Sequence, residues 1–377
     1  MSEKLPKGWK RVKLGEVITL NYGKSLPEKK RIKGNIPVFS SAGITGWHNE
    51  PLVNSKGIIL GRKGTIGKVY KSAIPFYPID TTYYILPNEE KYDFNFLFYL
   101  LCYLKLEELN EDSAVPGLNR NTAYSQEILL PPLPEQKAIA AVLSSLDDKI
   151  DLLHCQNKTL EQMAETLFRK WFIEEAKGNW EEVRLGDVLK SIESGSRPKG
   201  GIDPNLKTGV PSIGAENING LGNFNFSKVK YIPHEYFNRM KRGIVKDYDV
   251  LIYKDGAYIG KKSMFGKGFP FDKFCINEHV FILRSNDRIS QFFLYFLLDE
   301  EELRNLNTNS AQPGLNQTAI KNFSIILPPK DFITKFDNFV KPWIDKIFFN
   351  GVQIRTLEQL RDTLLPKLMS GEVRVRY

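Results

Sequence analysis

The clearest pattern of hydrophobic and polar positions lies in two long stretches, one in the middle of the chain and one near its end. In each stretch apolar side chains recur at steps of three and four positions, the spacing that lines one face of an α-helix. The first series is Ile139, Val142, Leu146, Ile150, Leu153, Asn157, Leu160, Ala164, Leu167 and Trp171. The second is Phe336, Phe339, Trp343, Ile347, Asn350, Ile354, Leu357, Arg361, Leu364 and Leu368. We predict two helices of roughly 60 Å, at about 1.5 Å per residue, that pair as an antiparallel coiled coil.

The ends of both helices carry typical boundary residues. Pro134 and Glu135 suit the opening turn of the first helix, and Gly178 suits its end. The second helix is predicted to be capped by Asp331 and to end at Gly371. Polar Asn157 and Asn350 interrupt the two apolar series, where buried asparagines can fix the register of a coiled coil.

Short strand-like runs precede each long helix and are separated by Gly, Asn, Ser and Pro. They are Val12–Leu14, Ile36–Val38, Gly57–Leu60 and Thr81–Leu86, then Val183–Leu185, Val210–Pro211, Val250–Tyr253 and Val280–Leu283. An apolar, aromatic helix is predicted after each set, at Phe96–Leu104 and Phe292–Leu298. The alternation predicts mixed α+β domains.

The chain contains an internal repeat of about half its length. Pro116-Gly117-Leu118-Asn119 and Leu130-Pro131-Pro132 return as Pro313-Gly314-Leu315-Asn316 and Leu327-Pro328-Pro329, displaced by 197 positions. This period is far longer than a solenoid unit of about 20 to 50 residues. It indicates two copies of one module, and therefore a pseudo-twofold arrangement of two similar domains.

The predicted boundaries follow from the repeat and the helical series. They are a first domain at 1–132, a first spacer helix at 133–177, a second domain at 178–329, a second spacer helix at 330–371 and a tail at 372–377. Glu372-Val373-Arg374-Val375 resembles Glu182-Val183-Arg184-Leu185, so the tail either completes the first domain or matches it by chance.

The net charge of +9 is unevenly divided along the chain. Residues 1–100 carry a net +8 and residues 101–177 a net −5, followed by +5 for 178–290 and +1 for 291–377. Basic charge is thus concentrated in the first part of each copy, as expected if that part faces a polyanion such as nucleic acid.

Cysteine content and hydropathy bound the cellular setting. Cys102, Cys155 and Cys275 are scattered and odd in number, which gives neither a disulfide framework nor a metal-ligand spacing. No apolar run approaches the ~20 residues that span a bilayer. We expect a soluble protein of the reducing cytoplasm, with no membrane partner.

A glycine- and lysine-rich loop follows a predicted strand in both copies. The first reads Gly61-Arg62-Lys63-Gly64-Thr65-Ile66-Gly67-Lys68, and the second runs from Lys254 to Lys262. Neither has the spacing and hydroxyl of a phosphate-binding P-loop, since Val69 and Lys262 stand where Ser or Thr is required. Two interpretations stay open, a plain hairpin turn and a contact with DNA.

Two further features of the sequence could indicate catalysis or base recognition. Glu135-Gln136-Lys137 has the form of a nuclease Glu-x-Lys, but the second copy has Phe332-Ile333-Thr334 there, so a helix start is the better interpretation. His279 could read a base in the second domain alone, or could be an ordinary packed or solvated histidine. Without a methyltransferase signature or a metal-ligand pattern, we predict no catalytic residues and no metal site.

Taken together, the motifs resemble the specificity subunit of type I restriction-modification systems. The resemblance rests on Leu130-Pro131-Pro132-Leu133-Pro134-Glu135-Gln136, Ala164-Glu165-Thr166-Leu167-Phe168 and Leu364-Leu365-Pro366-Lys367-Leu368-Met369-Ser370-Gly371-Glu372, and it covers the whole chain. It implies a non-catalytic subunit in which each domain is a target-recognition domain for half of a split site in double-stranded DNA. The helices would act as a ruler between the halves.

The same resemblance implies partners and a DNA face. The partners are two modification subunits that use S-adenosylmethionine, and restriction subunits that use ATP and Mg²⁺; this chain itself would bind none of these cofactors. The implied DNA-binding residues are Ser40, Ser41, Arg62, Lys63, Gly64, Lys68, Arg197, Asn217, Lys254, Tyr258, Lys261 and Lys262.

Two other classes of function remain as alternatives. A self-contained nuclease or NTPase with duplicated domains would act on DNA without partners. A structural tether would bind other proteins through its coiled coil and would show no salt-sensitive DNA binding.

Overall fold

A computed structural model describes residues 5–109, 117–176, 178–306 and 314–376, without the side chains of Ala257, Glu300 and Glu301. The repeated Ala114, Pro116, Ala311 and Pro313 lie outside these ranges. The chain divides into two compact units. Unit 1 comprises 1–149 and 357–377, and unit 2 comprises 150–356.

The described part of unit 1 contains nine strands arranged in three small sheets. The strands are β1 (Lys10–Lys13), β2 (Asn21–Tyr22), β3 (Ile36–Ser40), β4 (Gly43–His48), β5 (Gly57–Gly61), β6 (Val69–Ser72), β7 (Tyr77–Pro78), β8 (Thr82–Ile85) and β9 (Glu127–Leu130). Their orders are β1-β9, β2-β8-β5-β6 and β4-β3-β7 among the described residues. Central strand β5 is buried along its whole length, as its apolar sequence requires.

Unit 2 repeats this plan with one added short strand. The strands are β10 (Glu181–Arg184), β11 (Leu189–Ser194), β12 (Val210–Ile213), β13 (Gly220–Leu221), β14 (Lys230–Ile232), β15 (Val250–Tyr253), β16 (Lys262–Met264), β17 (Cys275–Ile276), β18 (Val280–Ser285) and β19 (Ser324–Leu327). Their orders are β10-β19, β11-β18-β15-β16-β13 and β14-β12-β17 over the same described ranges. The predicted duplicated α+β architecture is confirmed.

The helices include both predicted aromatic helices and both long helices. They are α1 (Leu14–Val17), α2 (Phe94–Tyr103), α3 (Arg120–Tyr124), α4 (Leu133–Arg169), α5 (Leu185–Val188), α6 (His234–Arg239), α7 (Gln291–Leu297), α8 (Glu300–Asn305), α9 (Gln317–Asn322) and α10 (Lys330–Ser370). Helix α4 continues as a π-helical turn over Lys170–Glu174. None of the helices among the described residues has the length and apolar content needed to cross a bilayer.

The long helices pack antiparallel within unit 2. The rings of Phe168 on α4 and Phe336 on α10 lie 5.8 Å apart between centroids. Farther along α10, the amide nitrogen of Asn350 donates to Oδ1 of Asn157 at 2.8 Å and to Oε1 of Gln156 at 2.7 Å. We name these three side chains the amide layer. Asn350 is fully buried and Asn157 nearly so, and the two asparagines predicted to help fix the register bond to each other.

Within unit 1 the same helices are joined by charged side chains. Nη1 of Arg361 on α10 lies 2.8 Å from Oδ1 of Asp147 on α4. The Tyr99 hydroxyl on α2 donates to the other carboxylate oxygen of Asp147 at 2.5 Å. The two long helices thus contact each other in this unit as well, and the predicted coiled coil is confirmed.

The first turn of α4 carries a buried carboxylate that pairs with an arginine of the tail. The carboxylate of Glu135 is fully buried and accepts two hydrogen bonds from Arg374, at 2.8 and 2.7 Å. It also accepts one from the Trp9 indole at 3.0 Å. The Arg374 hydrogen bond lowers the pKa of Glu135 below its ordinary value of 4.5, against the opposing effect of burial. The Glu135 motif is thus a structural junction between a helix start, a strand entry and the tail.

The corresponding junction of unit 2 is aromatic. Trp180 takes the place of Trp9 and lies 5.8 Å from the ring of Phe332, which stands in the position of Glu135. An edge-to-face contact between rings thus replaces a buried carboxylate.

Candidate nucleic-acid interface

The loop after β5 in unit 1 is closed by its own backbone. The amide of Gly61 donates to the carbonyl of Lys68 at 2.8 Å, and the amide of Gly67 donates back to Gly61 at 2.9 Å. Gly67 has a φ of +72°, and a Cβ there would lie 2.1 Å from the backbone nitrogen of Glu107. Glycine is therefore required at this close approach. The turn leaves Lys63, Gly64 and Lys68 exposed.

The loop after β15 in unit 2 has the same closure. The amide of Tyr253 donates to the carbonyl of Lys261 at 2.8 Å, and the amide of Gly260 donates to Tyr253 at 3.0 Å. The loop is one residue longer than its counterpart and contains a short 3-10 turn, Gly256–Tyr258. Two units thus present one type of loop with different side chains.

The repeated Gly-Leu-Asn segment braces this loop in each unit. The amide of Leu118 donates to the carbonyl of Arg62 at 2.9 Å, and the amide of Leu315 donates to the carbonyl of Lys254 at 2.8 Å. Both leucine side chains are buried. The following asparagines, Asn119 and Asn316, cap α3 and α9 through their side-chain oxygens. The most conspicuous repeat of the sequence is therefore a support for the loop.

The β3–β4 turn of unit 1 lies beside the loop. Ser40 uses its hydroxyl within that turn, donating to Gly43 and accepting from Ala42, both at 3.2 Å. Ser41 is buried, and its hydroxyl would lie 3.5 Å from a Cβ on Gly64. The structure thus brings together the predicted residues of unit 1, with the Ser40 hydroxyl shaping the turn and Lys63 and Lys68 exposed.

Arg62 is held in place by several contacts. Its Nη2 donates to the carbonyl of Asp80 at 3.0 Å, and its guanidinium lies 5.2 Å from the ring of Tyr22 and 5.8 Å from that of Tyr83. Burial and the Tyr22 hydroxyl raise the pKa of Tyr83 to about 12. Tyr83 stays protonated and donates to the carbonyl of Leu118 at 3.1 Å.

The predicted residues of unit 2 divide into exposed and occupied side chains. Tyr258 is half exposed and Lys261 lies 4.7 Å over its ring. Arg197 is exposed but pairs with Glu278 at 2.8 Å. Lys254 lies 4.9 Å over the ring of Phe281.

Asn217 and Lys262, two of the predicted residues of unit 2, have side chains that bond to their own unit. Asn217 is almost fully buried, and its side chain accepts from Gly214 and donates to Asn225. Lys262 donates to the carbonyls of Tyr295 and Leu298 at 2.7 and 2.5 Å. Both side chains stabilise the fold of unit 2. The sequence motif does not indicate this, because their partners are backbone groups elsewhere in the chain.

His279 is neither packed in the core nor simply solvated. Its Nδ1 lies 2.7 Å from a carboxylate oxygen of Asp255, and its Nε2 lies 3.3 Å from Glu278. Tyr253 is adjacent, with its ring 6.4 Å from the imidazole. Burial, followed by the charge of Asp255, raises the pKa of Tyr253. No group of three His, Cys, Asp or Glu suited to a metal ion occurs in the part of the chain that the structure describes.

The structure has two basic cavities that the sequence did not predict. In unit 1 a polar cavity of about 380 Å³ is lined by Tyr22, Arg62, Lys63, Tyr83, Gly117, Leu118, Asn119, Arg120 and Asn121. In unit 2 a cavity of about 670 Å³ includes Lys199, Arg239, Lys241 and Arg242. The cluster Arg239–Arg242 was visible in the sequence as a local basic run, whereas nothing there connects Tyr22 with Arg120.

Comparisons with known proteins agree with a duplicated DNA-recognition module. The profile of the type I restriction modification DNA specificity domain matches residues 6–162 and 177–340. Such a repeated domain defines a DNA-specificity protein. The chain belongs to the type I restriction modification DNA specificity family.

Its relatives include two specificity subunits from Methanocaldococcus jannaschii. The chain is 30% identical to the type I restriction enzyme MjaIX specificity subunit, over 99% of this chain and 95% of that protein. It is 26% identical to the MjaVIII specificity subunit over the same shares of both chains. The crystal structure of a type I restriction-modification system S subunit from M. genitalium has the same fold, with a TM-score of 0.64, 18% identity and coverage of 97% of this chain and 98% of that one.

Proposed function

We propose that this chain is the DNA-recognition subunit of a type I restriction-modification complex, in which each unit reads one half of a bipartite site. The observation that carries the proposal is the braced loop after β5 and β15, which the same backbone hydrogen bonds close in both units but which carries different side chains. A fixed frame with variable side chains is what two readers of different sequences need. The exposed cations beside it supply contacts to phosphate.

The long helices are proposed to set the spacing of the half-sites and to dock two modification subunits. Restriction subunits would join the same complex. In this proposal S-adenosylmethionine, ATP and Mg²⁺ are bound by those partners, and this chain contributes no catalytic residue. The names of its relatives, which are specificity subunits, support this division of labour.

We expect the purified chain alone to leave DNA uncut and unmethylated, and to direct adenine methylation once its modification subunit is added. The measurement is incubation with DNA, Mg²⁺, ATP and S-adenosylmethionine, followed by mapping of breaks and methylated adenines. The modification subunit without this chain is the matched control. Cleavage or methyl transfer by the pure chain would favour the alternative of a self-contained nuclease or NTPase.

Replacing Lys63 and Lys68 together by glutamine should weaken DNA binding at every sequence. Each exposed lysine that contacts phosphate releases about 0.9 counterion, so the slope of log affinity against log salt should become shallower by roughly 2. Binding is measured for the complex at several salt concentrations. Lys10 and Lys13, exposed on β1 and off the long helices, give a control of equal charge change. Equal slopes for the two double variants would assign Lys63 and Lys68 to a solvated turn.

A further inference from the structure

The two units can be compared position by position around the braced loop. Arg62 and Lys254 occupy equivalent sites. The amide of Arg62 donates to the carbonyl of Thr81, just before β8, and the amide of Lys254 donates to the carbonyl of His279, just before β18. The next residues, Lys63 and Asp255, form equivalent bridges to Gly117 and Gly314. The backbone frame is therefore the same at this position, while the side-chain charge is reversed.

Two more substitutions surround that reversal. Tyr22 pairs with Tyr83 across β2 and β8, as Ser194 pairs with Phe281 across β11 and β18. Arg120 follows the capping Asn119, as Gln317 follows Asn316. Unit 1 thus has Tyr22, Lys63 and Arg120 where unit 2 has Ser194, Asp255 and Gln317.

The unit 1 side chains form one cavity that is rich in hydrogen-bond donors. Tyr22 is about half exposed, at 49%, and the guanidinium groups of Arg62 and Arg120 lie 5.2 and 5.3 Å from its ring. Nε of Arg62 is buried and makes no hydrogen bond to the described residues. Among the residues that the structure describes, none of those lining this cavity of about 380 Å³ is acidic. A ligand must therefore offer acceptors to two guanidinium groups and an ammonium group.

We propose, on the basis of the function proposed above, that this cavity of unit 1 reads guanine through Arg120, with Arg62 beside it and Lys63 on the adjacent phosphate. Guanine presents two acceptors, O6 and N7, to the major groove, and arginine is their commonest bidentate partner. A phosphate needs only charge, whereas Arg62 is oriented by the Asp80 carbonyl and Tyr22 forms an aromatic wall. Fixed donors in a concave site favour the base edge over the backbone.

In unit 2, Gln317 replaces Arg120, and Asp255, in the position of Lys63, has the opposite preference. Asp255 accepts hydrogen bonds and is oriented by His279, 2.7 Å away. A carboxylate repels the acceptor edge of guanine and suits an exocyclic amino group instead. The proposal therefore assigns guanine reading at this position to one half-site only.

The test is replacement of Arg120 by glutamine, the residue that unit 2 has at this place, followed by mapping of methylated sites with the modification subunit present. One guanine in one half-site should become degenerate, with discrimination falling roughly 5- to 150-fold, the equivalent of one bidentate base contact. The other half-site and the spacer should not change. Lys33→Gln, an exposed lysine away from the cavity, is the control. Arg120 is exposed and lies over the Tyr22 ring, so thermal melting should be unaltered.

Three outcomes would overturn the inference. Uniform weakening at all sequences with a shallower salt slope would make Arg120 a phosphate contact, and an unchanged motif would make it a bystander. A parent motif without guanine in either half-site would exclude it directly. Absence of any bipartite methylation by the parent complex would instead contradict the proposed function itself.

Discussion

Replacing Arg374 by methionine should lower the free energy of unfolding of unit 1 by about 3 kcal/mol or more. The substitution leaves the fully buried Glu135 carboxylate with Trp9 as its remaining described hydrogen-bond partner, and an uncompensated buried charge typically costs about 3–5 kcal/mol. Denaturant unfolding, with hydrogen exchange to locate the change in unit 1, measures the loss. Arg376→Met, at an exposed position two residues farther on, is the control.

The pH dependence of this effect has a defined sign. Because the pKa of Glu135 is lowered in the folded state, the ion pair stabilises fully above the ordinary value of 4.5 and loses its effect as pH falls through the lowered value. The difference between parent and Arg374→Met should therefore narrow in acid. Combining it with Glu135→Leu should restore much of the stability near neutral pH, since an apolar pair avoids the buried charge. Equal stability of parent and single variant near neutrality would show that the ion pair contributes nothing net.

Insertion of seven residues into both long helices should increase the number of unspecified base pairs between the half-sites by about three. A heptad keeps the apolar stripe in phase and adds about 10.5 Å of helix, at 1.5 Å per residue, against 3.4 Å per base pair. The insertions belong between Lys149 and Ile150 and between Thr356 and Leu357, where the chain passes from one unit to the other. They preserve the Asp147–Arg361 pair and the amide layer.

Mapping methylated adenines with the modification subunit present gives the result. The bases of each half-site should be unchanged, because the loops and their braces are untouched. Inserting four residues into each helix at the same places breaks the heptad phase and serves as the comparison. Active heptad variants that retain the original spacer would show that the helices do not set the distance.

The repeat made much of the fold predictable. Apolar steps of three and four predicted α4 and α10, and the matched strand runs predicted corresponding sheets, because burial on one face imposes the same period wherever the element recurs. The polar interruptions at Asn157 and Asn350 predicted a role in fixing the register, whereas the bond between the two side chains is known only from the structure.

The candidate site was less predictable because it depends on long-range contacts. Tyr22 and Arg120 belong to a strand end and a helix start that only folding brings together. Asn217 and Lys262 looked like exposed loop residues, yet neighbouring backbone groups occupy their side chains. Glu135 was correctly placed at a helix start, but its partner Arg374 lies near the other end of the chain. Local composition contains no signal for such partners.

The amide layer also restricts how natural insertions and deletions can accumulate in this chain. Adding residues to one helix alone, between this layer and the Phe168–Phe336 contact, would slide an amide against aliphatic side chains. A buried amide without a partner costs about 1–3 kcal/mol. Lineages could therefore change helix length through paired events or through events outside that interval. The two asparagines fix which residues of the two helices face each other. An in-frame insertion in one helix alone would therefore destabilise the helix pair, and selection would act against it before the distance between the half-sites could change.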